Sequence, residues 1–186
     1  MDLNRYIIAF FLFGFLGWVW ESIYCTIEEH KWVNRGFLYG PICPIYGCAS
    51  LIGFFTYDLI KAGYMPKMEW WMLFIFGFVV SMVIEYPTSW VLEKLFNARW
   101  WDYSDIPLNI NGRTSVPTSF VFGAAAIFLM NILIPLVDRG IRVFPEFLLD
   151  LLALILVSLI SVDTTLTISS LSDFQKYVVS LDEAFQ

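Results

Sequence analysis

Residues 18–47 read WVWESIYCTIEEHKWVNRGFLYGPICPIYG. An apolar helical run meets a carboxylate at Glu21, turns through the charged segment 28–31, and re-enters apolar sequence past Arg35, Pro41 and Pro44. A carboxylate and a guanidinium at the edges of two hydrophobic segments are costly to bury. Whether these segments lie in water or in lipid is decided by the rest of the chain. Of the 186 residues, 59% are hydrophobic and 15% charged, against about 25% charged in a soluble domain. Several apolar runs approach the roughly 20 residues that cross a bilayer core. The predicted class is therefore an all-α polytopic membrane protein in a lipid bilayer, because backbone in lipid must satisfy its own hydrogen bonds. Long continuous runs favour helices over a barrel, whose strands alternate.

Working outward, the predicted spans are 5–28, 41–60, 70–96, 116–137 and 143–170, about five in all, forming a single transmembrane domain with a polar tail at 171–186. Gly63 and Pro66 break the chain after the second span, and Pro87 predicts a kink in the third. The longest loop, 97–115, holds Trp100, Trp101 and Tyr103, read as interfacial anchors. Counted across the two sides, the cations stand five against six. Drawing Arg35 and Arg113 into the bundle tilts the balance towards a cytoplasmic N-terminus.

The quoted stretch has an echo. Gly17-xxx-Glu21-xxx-Cys25 matches Ser81-xxx-Glu85-xxx-Ser89, each a small–acid–small stripe on one helix face. Pro41-Ile-Cys-Pro-Ile-Tyr-Gly47 matches Pro117-Thr-Ser-Phe-Val-Phe-Gly123, so that Cys43 faces Ser119 and Tyr46 faces Phe122. The expectation is a duplicated helical hairpin, repeat one about 5–61 and repeat two about 69–137, sharing one orientation, with an extra helix at about 143–170. Parallel repeats of this kind occur in transporters.

Intramembrane ionisable residues are default functional candidates. The first set is Glu21, Glu85, Arg35 and Arg113, either lining a shared substrate or ion site or forming two Glu–Arg locks. Secondary candidates are Cys43, Tyr46 and Ser89 on the stripes, Arg99 and Asp102 in the long loop, and Asp163 in the last span. Their structural readings are a small packed thiol, solvated loop charges and a polar helix exit. The three cysteines lack a C-x-x-C and the chain has one histidine, so no metal site is expected. No cofactor is called for. A net charge of −6 without a basic run argues against nucleic acid and supplies no polybasic lipid patch. No H-E-x-x-H, G-x-S-x-G or Walker phosphate loop is present. The readings left open are a transporter or permease subunit, a membrane-embedded lipid- or envelope-modifying enzyme using the carboxylates, and a non-catalytic scaffold or regulatory subunit. The small stripes Gly14/Gly17 and Gly77/Ser81 would serve a homodimer contact or pack within one chain.

W-x-W-E-S-I-Y at 18–24, NRGFLYGPICPIYG at 34–47, E-Y-x-x-S-W-x-L-E-K-L-F at 85–96 and ARWWDYSD at 98–105 resemble the bacterial family called putative ABC-transporter type IV, also labelled CmpB. The resemblance covers roughly residues 10–135. It implies a multi-pass protein of a bacterial plasma membrane with a transport label. An ATP-driven role would then need a separate ATPase subunit.

Overall fold

The computed structural model describes residues 3–185, with side chains through residue 172. Helix α1 (Leu3–Glu29) runs unbroken because no proline interrupts its apolar sequence. Helix α2 (Pro44–Lys61) starts with Pro44 in its first turn, where the missing N–H costs no hydrogen bond. It stops at Ala62, and Gly63 follows at φ 80°, in the left-handed region glycine tolerates. Helix α3 (Trp70–Phe96) continues through Pro87 and ends on a left-handed Asn97 whose N–H returns to the Glu93 carbonyl.

The long loop is folded rather than open. Strands β1 (Asn109–Ile110) and β2 (Thr114–Ser115) pair antiparallel, a small addition to the all-helical expectation. Asn111 and Gly112 take the positive-φ positions of the turn between them, the residues best suited to it. Ser115 then caps helix α4 (Val116–Phe128) by accepting from the Thr118 N–H at 3.3 Å. A π turn over Leu129–Leu133 joins α4 to α5 (Ile134–Ile141). Pro135 lies just beyond it and has no N–H to continue the ordinary ladder, which accounts for the bulge. Helix α6 (Glu146–Phe185) is a single 40-residue helix, so the predicted end at 170 falls inside it. Side chains of the predicted polar tail beyond residue 172 lie outside the described residues.

Four segments are long and apolar enough to cross a membrane: Leu3–Glu29, Trp70–Phe96, Val116–Ile141 and Glu146–Ser172. At 26 or 27 residues each, and about 1.5 Å per residue, they exceed a hydrocarbon core of about 30 Å. The chain is thus a helical, multi-pass membrane protein. α2, with 18 residues including Asp58 and Lys61, is the less apolar helix.

α1 packs along α2 and α3 along α4, the two closest helix pairs. Both contacts depend on glycine. A Cβ on Gly47 would lie 2.9 Å from the Phe10 carbonyl oxygen, and one on Gly123 would lie 2.8 Å from that of Phe74. The stripes Gly14/Gly17 and Gly77 are likewise occupied within the chain, by Ile42, Tyr46 and Ala126 respectively. The core joins Ala9 and Phe13 of α1, Phe54 of α2, Leu73 of α3, and Met130, Ile134, Val137 and Ile141 of the Val116–Ile141 segment.

Candidate functional site

The bundle carries polar groups at both ends. At the end reached by the C-terminus of α1, the small–acid–small stripes turn inward: Gly17 and Cys25 are buried on α1, and Ser81, Glu85 and Ser89 on α3. Spacing at four residues dictates that alignment. Glu21 accepts a hydrogen bond from the Tyr46 hydroxyl. The Arg35 Nε lies 3.9 Å from Glu21, a loose pair with both side chains about one-third exposed. Arg35 is held by its backbone instead: its N–H donates to the Ser22 hydroxyl at 3.3 Å, and the Cys43 thiol donates to its carbonyl at 3.6 Å. The Cys43 thiol is buried, as a small packed thiol is.

Glu85 differs. It is only 6% exposed, and it accepts from the Thr114 hydroxyl at 2.8 Å. The expected Glu85–Arg113 lock is not formed. Arg113 ion-pairs with Glu93, with Ser89 at 3.4 Å between the two acids. The reason is reach. Eight residues of helix separate Glu85 from Glu93, about 12 Å, and Arg113 sits in the hairpin turn that overhangs the end of α3, while Thr114 enters the bundle. Arg99 joins the same Glu93 at 3.2 Å and stands 3.7 Å from Asp102. Asp102 is solvated, as its loop position predicts. The Ser104 hydroxyl and backbone N–H hold its carboxyl below the ordinary range, with Arg99 contributing.

The tryptophan-rich loop is more than an anchor. Trp101 donates to the Arg113 carbonyl at 2.9 Å, and the Tyr103 N–H donates to the Gly112 carbonyl at 2.8 Å. Burial raises the Tyr103 phenol, and both the Glu85 and the Glu21 carboxylates add to the rise. This one loop residue therefore feels both stripe acids. The Tyr46 ring also meets that of Phe122 across the two helix pairs, with centroids 6.1 Å apart.

Asp163 is not a helix exit. Its carboxylate accepts the backbone N–H groups of Tyr39 and Gly40, at 3.0 and 2.8 Å, fastening α6 to the 34–43 loop. A Cβ on Gly40 would lie 2.8 Å from that carboxylate, so only glycine fits.

At the opposite end lies a cluster that sequence reasoning did not single out. Asp138, 1% exposed, receives Arg5 from α1, Lys61 from α2 at 3.0 Å and Arg142 from the end of α5 at 3.0 Å. Arg5 also pairs with Asp58, which accepts from the Tyr6 hydroxyl. Its guanidinium stands 5.2 Å from the centroids of both Tyr6 and Phe54.

The family described as Putative ABC-transporter type IV matches residues 8–168. The chain belongs to this family. No curated protein and no solved structure matches it. The match takes in Glu21, Glu85, Asp138 and Asp163 and begins after Arg5. The signal for the missed cluster was present: Asp58 stands within an apolar run, as Glu21 and Glu85 do. Lys61, Asp138 and Arg142 sit near predicted span ends, where charges read as ordinary loop residues. Among the described residues, no group of three or more His, Cys, Asp or Glu is placed to hold a metal ion.

Proposed function

We propose that this family member is the membrane-spanning, permease-like subunit of a transport system in a bacterial plasma membrane, driven by a separate ATPase. Its polar site is centred on the two stripe acids, Glu85 and Glu21, each set against its own hairpin partner. The observation that carries the reading is Glu85. A carboxylate buried in a membrane bundle against a single hydroxyl is costly. A structural ion would be expected to carry a cationic partner, as Asp138 does. An acid kept without one is suited to a proton or a cationic group on a passing solute. Glu21, sharing its charge with Tyr46 and loosely with Arg35, is the acid on the equivalent stripe of α1.

The reading includes five crossings, with α2 as the fifth, and a duplicated hairpin. Duplication is supported by paired contacts. Phe10–Gly47 and Phe74–Gly123 are equivalent in the two copies and meet in the same way. Tyr46 and Phe122, also equivalent, touch each other, as residues beside a local two-fold axis do. Charge does not follow the duplication, since Tyr46 satisfies Glu21 while Phe122 has no hydroxyl to offer Glu85.

A scaffold role is favoured by the other ions, because the Arg113–Glu93–Arg99 group and the Asp138 cluster are internally paired. One experiment separates the two readings. Full-length protein is tagged in its native membrane, co-purified with its partners and reconstituted. For a permease, a nucleotide-hydrolysing subunit co-purifies, and Glu85→Gln lowers its coupled hydrolysis about tenfold or more, the loss of one charge-assisted contact, at unchanged folded yield. Absence of an ATPase, or hydrolysis indifferent to Glu85→Gln, refutes the permease and leaves the scaffold.

A further inference from the structure

The segment between α1 and α2 crosses the Glu21 end of the bundle as a strap. Its two ends are fixed to α1. At one, Asn34 accepts the Trp18 indole N–H at 2.7 Å and the Arg35 N–H donates to Ser22. At the other, the Cys43 N–H donates to the Gly14 carbonyl at 3.0 Å. The middle of the strap is held by different elements. The Phe37 ring packs against Phe96 at the end of α3 and against Trp100 in the long loop, with centroids 5.6 and 5.4 Å apart. The Tyr39 and Gly40 N–H groups end on Asp163 of α6. Gly36 stands between the fixed end and this middle, at φ 140°, a conformation that only glycine takes readily.

The ties of the middle are of a kind that opens. Asp138 collects three cations, and parting them would strand buried charge. Asp163 has no cationic partner among the described residues. Its donors are the two backbone N–H groups and, at 3.3 Å, the Thr167 hydroxyl. It is half-buried in the hydroxyl-rich stretch of Thr164, Thr165 and Thr167. A released carboxylate therefore keeps Thr167 and takes up water in place of the N–H groups. Helix α6 is also the least buried of the four spans, and its tie to Asn4, through Asp150, lies roughly 20 Å away along the helix. Beside the strap stands the candidate site. Arg35 is 3.9 Å from Glu21, and the buried Cys43 thiol donates to the Arg35 carbonyl. A Cβ on Gly36 would lie 3.4 Å from that sulfur.

We propose that residues 36–40 are a gate at the Glu21 end, closed in this structure, with Asp163 as its latch. It opens as one unit about Gly36, when Phe37 leaves Phe96 and Trp100 and the two N–H groups leave Asp163. The strap ends stay on α1 and the bundle stays folded. Opening uncovers Cys43 and the buried Leu38. The service of that opening, admitting a solute to Glu21, rests on the permease reading; the motion itself does not.

The test uses full-length protein in mixed micelles and a sulfonated maleimide in the water phase, with labelling mapped to Cys43 by mass spectrometry. In the wild type, Cys43 should react at a rate that stays flat as denaturing detergent is added below the unfolding transition, as a local opening does. Phe37→Ala should speed that reaction about tenfold. It should also speed amide exchange at residues 39–40 by the same factor, although the aromatic partners of Phe37 belong to α3 and the long loop. Asp163→Asn, which keeps the shape of the side chain, should speed Cys43 labelling about tenfold, because its amide offers an N–H where the carboxylate accepted one. A Cβ on Gly40 would lie 3.8 Å from the Asp163 carboxyl carbon, so the pair Gly40→Cys and Asp163→Cys stands within disulfide reach. Oxidation of that pair should hold Cys43 labelling below the wild-type rate, and reduction should release it. Labelling that climbs in step with global unfolding, exchange at residues 39–40 unmoved by Phe37→Ala, or labelling undiminished in the oxidised pair would each overturn the gate. Where an ATPase co-purifies, the oxidised pair should stop coupled hydrolysis and reduction should restart it. Hydrolysis unchanged by oxidation overturns the gate's part in transport, whereas an absent ATPase counts against the permease reading alone.

Discussion

Asp138 offers the sharpest test of what fastens the bundle. Its carboxylate is 1% exposed and meets cations from three separate elements: Arg5, Lys61 and Arg142. Lys61 and Arg142 are about half-exposed, so losing Asp138 lets them turn to water at little cost. Arg5 has no such exit, since its side chain is 6% exposed and its guanidinium lies against two aromatic rings. It retains Asp58, however. Breaking a buried pair by removing one partner costs about 3–5 kcal/mol, and the remaining Asp58 places Asp138→Asn at the lower end, about 3 kcal/mol. The assay is reversible unfolding in mixed micelles with rising denaturing detergent, followed by circular dichroism. A double-mutant cycle completes it. Replacing Arg5 by Met and Asp138 by Leu together should cost less than the sum of the single changes by about 1 kcal/mol or more, because the Arg5–Asp138 pair is then removed as a unit, while Asp58 loses its arginine equally in both Arg5 variants. If Asp138→Asn stays within about 0.5 kcal/mol of wild type, or the cycle is additive, the cluster does not fasten the helices and the argument from burial fails.

Four further outcomes follow from the same geometry. Gly47→Ala and Gly123→Ala should each destabilise by about 1–3 kcal/mol, because the new Cβ meets backbone oxygen. Gly140→Ala, in open space, should gain about 1 kcal/mol of helix propensity or less; the same unfolding assay reads all three. Asp163→Ala should free the Tyr39 and Gly40 N–H groups, seen as faster amide exchange over residues 34–43 and a loss of about 1–3 kcal/mol. Glu93→Gln should speed proteolysis at Arg99 and Arg113 more than Glu85→Gln does, since Glu93 is the acid both arginines reach. The depressed Asp102 carboxyl stabilises its loop above its ordinary value of 3.8 and gives that up as the pH falls through its lower folded value. Ser104→Ala, removing the hydroxyl donor, should move this acid-induced rise in amide exchange over residues 99–113 to higher pH.

The membrane class and most helix positions were legible because they follow from one-dimensional quantities, namely run length, breaker residues and proline position. The predicted second span begins at 41, but Pro41 lies outside the helix, which starts at Pro44, and the fourth begins at 116, where Ser115 supplies a cap the sequence reading does not name. The π turn over Leu129–Leu133 was not read, although Pro135 just beyond it was the signal. Within one helix, spacing also fixes which side chains share a face: Gly17 and Cys25 on α1, and Ser81, Glu85 and Ser89 on α3, are all buried.

Pairing between elements is another matter, and Arg113 shows why. The four-residue periodicity of α3 places Glu85, Ser89 and Glu93 on one stripe, so any of the three could receive an arginine from the following loop. Which one does is set by how far the β1–β2 hairpin descends along α3, and that depends on the left-handed turn at Asn111–Gly112, the Ser115 cap and the Trp101 bond to the Arg113 carbonyl. Those local features put Thr114 inside and Arg113 one level further out. A charge in an apolar run thus announces that a partner must exist. Its identity is written in the turn that delivers the partner, and here the turn delivers a hydroxyl to Glu85 and reserves the cation for Glu93. Among the described residues, Glu85 is the buried acid left with only a hydroxyl, and the transport reading rests on it.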